Sequence, residues 1–229
     1  MAPDSRALTQ LLGRMFQAHP WHGVPAGDVE GWVTAYVEIT PADPVKYELD
    51  KASGILRVDR PQRFSSLPPT LYGFIPQTYC AAKVARRAEE RSGKVGLKGD
   101  GDPLDVCILT EKGFGAAGFL ARVRPVGGLR MLDNNEADDK VVAVLEGDLA
   151  YGDVTELSQL PRGLVDRLVH YFGTYKQLPS EASRRVSIDE VYDAAEAREV
   201  LRRSVEDYRD VFGAPEGRVA ELAKLLREA

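Results

Sequence analysis

The chain has 229 residues, 44% of them apolar and 28% charged, with a net charge of −5. That composition supports a buried core, and no chain-wide basic field points to nucleic acid. No apolar run is long enough to span a membrane, and the two cysteines, Cys80 and Cys107, are too few for a disulfide framework or a cysteine zinc site.

Leu8, Leu11, Leu12, Met15 and Phe16 recur at helical spacing and predict a helix over 4–18, with Asp4 or Ser5 as its cap. Asp4, Arg6 and Arg14 interrupt the continuous apolar stretch that a signal peptide needs. His19-Pro20-Trp21-His22-Gly23 then breaks the helix. Residues 32–40, WVTAYVEIT, alternate, with Val33, Ala35, Val37 and Ile39 on one face and Thr34, Tyr36 and Glu38 on the other. VKYELD (45–50) alternates again, placing Lys46 and Glu48 together, and GILRVDR (54–60) is a third short strand. A proline-rich loop with Pro61, Pro68 and Pro69 leads to LYGFIP. Residues 81–98 are charged and end in glycines, and are read as a solvated surface insertion with some helix. LDVCILT (104–110), FLARVRPV (119–126), GLRMLD (128–133) and KVVAVLEGDL (140–149) are strands, the last two joined by the acidic loop NNEADD. Beyond Pro161 the period becomes helical, with Leu164, Leu168, Phe172 and Tyr175 in one stripe. Val186 and Ile188 mark an extended piece, 193–212 is a helix, and Pro215 opens a last helix with Val219, Leu222 and Leu226 inward. Strands first and helices last favour an α+β class, a small antiparallel barrel with helices packed outside, in a single domain over 1–229 with a barrel core at about 32–150 and C-terminal helices at about 161–229. Both cysteines sit in apolar company and read as buried free thiols of a reducing, cytoplasmic setting.

The chemistry concentrates in GDGDPLDVCIL, residues 99–109. Asp-Gly followed by Pro is ordinary turn chemistry, and a turn explains Asp100 alone. Asp105, however, lies inside a strand among apolar neighbours, where a carboxylate needs a partner. An EF-hand loop counted from Asp100 fails, because its fifth and sixth places hold Leu104 and Asp105. KVGLKG precedes the aspartates, so the strand that opens a haloacid-dehalogenase-type site is absent as well. Carboxylates without His or Cys suit a hard cation such as Mg²⁺, Mn²⁺ or Ca²⁺. Asp133 and Asp138 close a second acidic turn, in which Asn134, Asn135 and Glu136 read as solvated, and two carboxylate clusters invite more than one ion. GFGAAG (113–118) matches a dinucleotide fingerprint, but a strand pattern with Pro125 follows it where that motif requires a helix. Lys46, Arg60, Lys140, Tyr175 and Lys176 each read alone as surface or core-edge residues; together with the acids they describe a pocket for metals and a polyanion.

These residues resemble the soluble inorganic pyrophosphatases of family I, in a divergent bacterial branch. DGDPLDV carries the similarity, with VEITPADPVKYELDK, GILRVDRP, LYGFIP, RPVGGLRMLD, ADDKVVAV and HYFGTYK between about Trp32 and Lys176. The resemblance implies an OB-like five-stranded barrel with flanking helices and Mg²⁺-dependent hydrolysis of pyrophosphate to two orthophosphates by metal-activated water, without a covalent intermediate. It implies that Asp100, Asp105, Asp133 and Asp138 hold several Mg²⁺ ions, with Mn²⁺ a substitute and Ca²⁺ an inhibitor. It assigns Asp102 as general base, Lys46, Arg60, Tyr72, Lys140, Tyr175 and Lys176 as phosphate contacts, and Glu38 and Glu48 as supporting acids. It also implies a homo-oligomer, while the negative net charge and the lack of a long apolar run point to neither nucleic acid nor membrane as a partner. Many members carry a tyrosine where Pro68 stands, four residues before Tyr72. Two other readings remain: an OB module that binds single-stranded nucleic acid, and a metal-dependent phosphatase acting on a larger ester.

Overall fold

The computed structural model describes residues 16–63, 65–177 and 186–228. Strand β1 (Val33–Ile39) lies between β4 (Leu71–Phe74) and β7 (Phe119–Asp133), antiparallel to both. Gly73 lets β1 and β4 approach closely, since a Cβ there would fall 1.9 Å from the Tyr36 carbonyl oxygen. β4 also pairs with β6 (Asp105–Leu109), β6 with β9 (Lys140–Leu145), and β9 with β7. The run of neighbours β1–β4–β6–β9–β7 therefore returns to β1. Two short strands, β5 (Lys98–Gly99) and β8 (Glu136–Ala137), extend the sheet beyond β7, and β10 (Val186–Asp193) pairs with the second half of β7. Strands β2 (Val45–Leu49) and β3 (Leu56–Pro61) form a separate hairpin.

The sheet is mixed, which corrects the expectation of an antiparallel one. β6 and β9 are parallel, with Asp105 opposite Lys140. β7, antiparallel to β9, carries the chain back between them, so β9 starts from the same end as β6. The two segments read as separate strands at 119–126 and 128–133 are the single 15-residue strand β7. A register shift between Pro125 and Gly127 bends it, allowing its first half to meet β1 and its second half β10.

Helix α1 (Ala82–Ser92) packs on α3 (Ala194–Phe212) and buries Val84, Ala85 and Ala88. The insertion is therefore a docked element rather than a solvated loop: Val84, Ala85 and Ala88 share one face that the charged composition hides. Helix α2 (Arg162–Thr174) sends Leu168 and Phe172 against Cys107, Leu109, Val142 and Val144. α3 is capped by the Asp193 carboxylate, which accepts from Glu196 N at 2.9 Å, and it buries Ala197, Val200 and Leu201 against Val33, Ala35, Val106 and Val123. Each such Val or Leu contributes about 1.5–3 kcal/mol. Arg130, fully buried on β7, ties the layers together by pairing with Glu196 at 2.5 Å and Glu190 at 3.2 Å. Both cysteines are buried free thiols, and burial pushes each above the ordinary thiol range.

In helix α4 (Arg218–Glu228) Val219 and Leu222 are half-buried but Leu226 is 63% exposed, so the inward stripe is shorter than expected. The helix expected over 4–18 falls outside the described residues up to residue 15, and residues 16–18 are not helical. Trp21 and His22 instead dock on Tyr208 and Phe212. Arg218 holds that contact by donating to the His22 carbonyl and to the Tyr208 hydroxyl, each at 2.7 Å.

Candidate active site

The sheet register places the acids before any side chain is considered. Asp105 and Lys140 begin parallel neighbours, and Asp133 ends β7, so all three gather at one end of the sheet. The Asp100–Asp102 loop precedes β6 there, and Tyr175 and Lys176 follow the C-terminus of α2. A cleft of about 570 Å³ opens at this end. Of the thirteen side chains singled out in the sequence, all but Arg60 line it: Glu38, Lys46, Glu48, Tyr72, Asp100, Asp102, Asp105, Asp133, Asp138, Lys140, Tyr175 and Lys176. Arg60 lies opposite Lys46 on the hairpin, 3.7 Å from Asp59, outside that lining.

Lys140 is 1% exposed and forms ion pairs with both Asp105 and Asp138. Burial opposes its charge, but the two carboxylates outweigh it and hold the ammonium well above the usual lysine range. Tyr72 donates to Asp105. Burial and then the neighbouring Asp138 push Asp100 up to about 9. Asp138 is buried too, but Lys140 and Lys176 overcome that burial and keep its carboxylate below the ordinary range. Lys176 reaches Asp133 at 2.6 Å and Asp138 at 3.8 Å.

On the opposite wall, Lys46 is paired with Glu48 and with Asp59, the latter at 3.2 Å. The register shift between Lys46 and Tyr47 adds one residue to β3 and brings Asp59 to the lysine. Glu38 was expected on a polar strand face but is buried, because the β2–β3 hairpin covers that face. Its Oε1 accepts from Leu49 N at 2.7 Å, and burial drives its pKa up to about 8.

Several cleft residues escaped the sequence reading. Lys51 forms an ion pair with Asp102, and its Nζ donates to the Gly101 carbonyl at 3.3 Å. Tyr171 stacks on Tyr175 with ring centroids 5.2 Å apart. Trp21, Asp50, Arg57 and Glu136 also line the cleft. The one available signal was position: Lys51 directly follows VKYELD, and Tyr171 shares the α2 stripe with Tyr175 one turn later.

Nine carboxylates and five cations line the cleft. Among the described residues no three acid, histidine or cysteine side chains already form a metal-coordinating group, since Lys140 stands between Asp105 and Asp138. The donor set is nevertheless all oxygen, and its surplus negative charge, with Asp100 raised by burial, fits hard divalent cations. The arrangement can hold a compact polyanion between cations and ammonium groups.

The family model described as inorganic pyrophosphatase matches residues 35–209. The chain is 47% identical over 201 residues to an inorganic pyrophosphatase of Chlamydia trachomatis, covering 85% of this chain and 96% of that one. It is 35% identical to soluble inorganic pyrophosphatase 2 of Chlamydomonas reinhardtii, covering 85% and 91%. The crystal structure of inorganic pyrophosphatase from Thermus thermophilus superposes with a TM-score of 0.69 at 28% identity, over 83% of this chain and 99% of that one. The chain belongs to the inorganic pyrophosphatase family.

Proposed function

We propose that this chain hydrolyses inorganic pyrophosphate to two orthophosphates with Mg²⁺, for which Mn²⁺ substitutes and Ca²⁺ does not. The observation that carries the reading is the convergence of two acidic segments, 100–105 and 133–138, with Lys46, Lys140 and Lys176 in one cleft. Asp100, Asp105, Asp133 and Asp138 would hold the cations. When bound, these supply Lewis acidity and charge neutralisation for phosphoryl transfer to water. Lys46, Lys140 and Lys176 face the phosphate oxygens, and Tyr72 and Tyr175 offer hydroxyls. Arg60 reaches the substrate from the rim. Asp102, at the mouth of the cleft, accepts the proton of the attacking water. The water oxygen bonds to phosphorus, the bridging P–O bond breaks, and its electron pair leaves with the second phosphate. Glu38 fixes the Lys46 hairpin through Leu49 N, and Glu48 holds the Lys46 ammonium.

The returning run of strands β1–β4–β6–β9–β7 is, on this reading, the OB-like barrel of a single pyrophosphatase domain. The homo-oligomer rests on the family resemblance alone, and the cytoplasmic setting on the two buried free thiols. A nucleic-acid module would need an exposed basic and aromatic face, and the cleft has more acids than cations. Phosphate release from pyrophosphate, ATP and a phosphomonoester, each with Mg²⁺, tests the proposal. Release from pyrophosphate alone is expected, abolished by EDTA and restored by Mg²⁺ but not Ca²⁺. Equal turnover of the monoester would refute it.

A further inference from the structure

The two acidic segments of the cleft belong to different parts of the chain, and the α1 insertion is bonded to both. At its start, Cys80 N donates to the Asp102 carbonyl at 2.8 Å, and Gly101 N donates back to the Cys80 carbonyl at 3.1 Å. Gly99 permits that contact, because a Cβ there would fall 2.1 Å from the Cys80 carbonyl oxygen. At its end, β5 pairs in parallel with β8, aligning Gly99 with Ala137 beside Asp138. Asn135 locks the second contact: its carbonyl accepts from Lys98 N at 3.0 Å and its Nδ2 donates to the Gly96 carbonyl at 2.5 Å. Between the two ends, Ala88 and Leu97 bury against Leu132 and Ala137.

α1 has no side-chain cap of its own, since its N-cap residue is Ala81. The amides of its first turn, which have no partner within the helix, are satisfied from α3 instead. The buried Asp207 carboxylate accepts from Ala81 N and Lys83 N at 3.0 Å and from Val84 N at 3.1 Å. The neighbouring Ser204 carbonyl accepts from Tyr79 N at 2.9 Å. One carboxylate, distant from the cleft in sequence, thus anchors the residues that carry the Asp100–Asp102 loop.

We propose that Asp207 is a positioning residue: by capping α1 it fixes the Asp100–Asp102 backbone against the Asp133–Asp138 turn and so sets the divalent-cation affinity of the cleft. The proposal rests on the metal-binding reading above. The test compares metal-stripped wild-type protein with Asp207→Ala, Asp207→Asn, Asn135→Ala and Val200→Ala, below the unfolding temperature of each. Calorimetry reads Mg²⁺ affinity, and amide hydrogen exchange reads Cys80 and Gly101.

Asp207→Ala is expected to weaken Mg²⁺ binding about fivefold, less than the roughly tenfold or more that loss of a group bonded directly to a metal ligand costs, and to speed exchange at both amides. Asp207→Asn keeps one acceptor oxygen and recovers part of each. Asn135→Ala removes the lock at the other end and also weakens Mg²⁺ binding. Val200→Ala destabilises the same helix without touching the cap and leaves Mg²⁺ affinity unchanged. Wild-type affinity and exchange in the Asp207 variants, or an equal loss of affinity in Val200→Ala, overturns the proposal. Asp207→Asn and Asn135→Ala decide the matter should Asp207→Ala not fold. If wild-type protein binds no Mg²⁺, the reading of the cleft fails, while the exchange rates still report whether Asp207 holds the loop.

Discussion

Replacing Lys140 with Met keeps the length and apolar stem of the side chain and deletes its charge. The ammonium is buried between Asp105 and Asp138, with the Phe172 ring centroid 5.9 Å away, so its loss leaves both carboxylates without their shared counter-charge. At an effective dielectric constant of about 20, one ion pair at about 4 Å contributes roughly 4 kcal/mol. Removing one partner of a buried ionic group costs about 3–5 kcal/mol, because the remaining charges are left uncompensated. For a chain of this size that corresponds to a fall in Tm of roughly 6–20 °C.

Two further signatures separate this mechanism from a packing defect. Without the lysine, the carboxylates have folded-state pKa values above their unfolded ones. The unfolded chain then binds fewer protons, so the variant loses stability as pH rises above about 4. Divalent cations should narrow the deficit, because the freed carboxylates bind them more tightly than in wild type; at a fixed saturating Mg²⁺ concentration each tenfold gain in affinity recovers about 1.4 kcal/mol. Urea unfolding of wild type and Lys140→Met in EDTA and in Mg²⁺, at pH 6 and pH 8, reads all three quantities. Equal stability in EDTA at pH 8, or a deficit that Mg²⁺ and acid leave untouched, would refute the electrostatic account of the cleft.

Asp102→Asn should keep the wild-type Tm within about 1–2 °C, since Asp102 is half-exposed, while kcat falls on the order of a hundredfold or more; full turnover would remove it from its role as base. Tyr171→Phe keeps the stack on Tyr175 and deletes only a hydroxyl in the cleft lining. A rise in KM of about fivefold, near one hydrogen bond, would show that Tyr171 contacts substrate, and an unchanged KM that it does not. His22 is held down to about 4 by burial, then by His19 and Arg218. Between pH 6.5 and 4 the unfolded chain binds more protons at this site, so its contribution to stability is present above about 6.5 and lost as pH falls through that window. After screening the loss is roughly 1 kcal/mol, and His22→Gln should flatten that part of the pH–stability curve.

Local periodicity located most elements. VKYELD and GILRVDR alternate over the segments that became β2 and β3, LDVCILT is a short continuous apolar run that became the buried strand β6, and the stripe Ala197, Leu201, Tyr208 is the buried face of α3. The insertion was misjudged because Val84, Ala85 and Ala88 supply a small apolar face among many charges, and alanines give little hydropathy signal. Helix 193–212 was evident, but nothing local marks Asp207 as a cap for another helix, because its donors lie more than a hundred residues away.

By itself the sequence determined which residues carry charge at which strand ends, and hence that Asp100, Asp102, Asp105, Asp133 and Asp138 needed cationic company. Alternation and turn chemistry are local, so they are written in consecutive residues. Which cation meets which acid was decided by tertiary structure: the parallel register of β6 and β9 sets Lys140 opposite Asp105, the β3 bulge gives Asp59 to Lys46, and the hairpin buries Glu38. Those pairings depend on strand order and direction, which arise from contacts between segments far apart in the chain, and no local pattern encodes them.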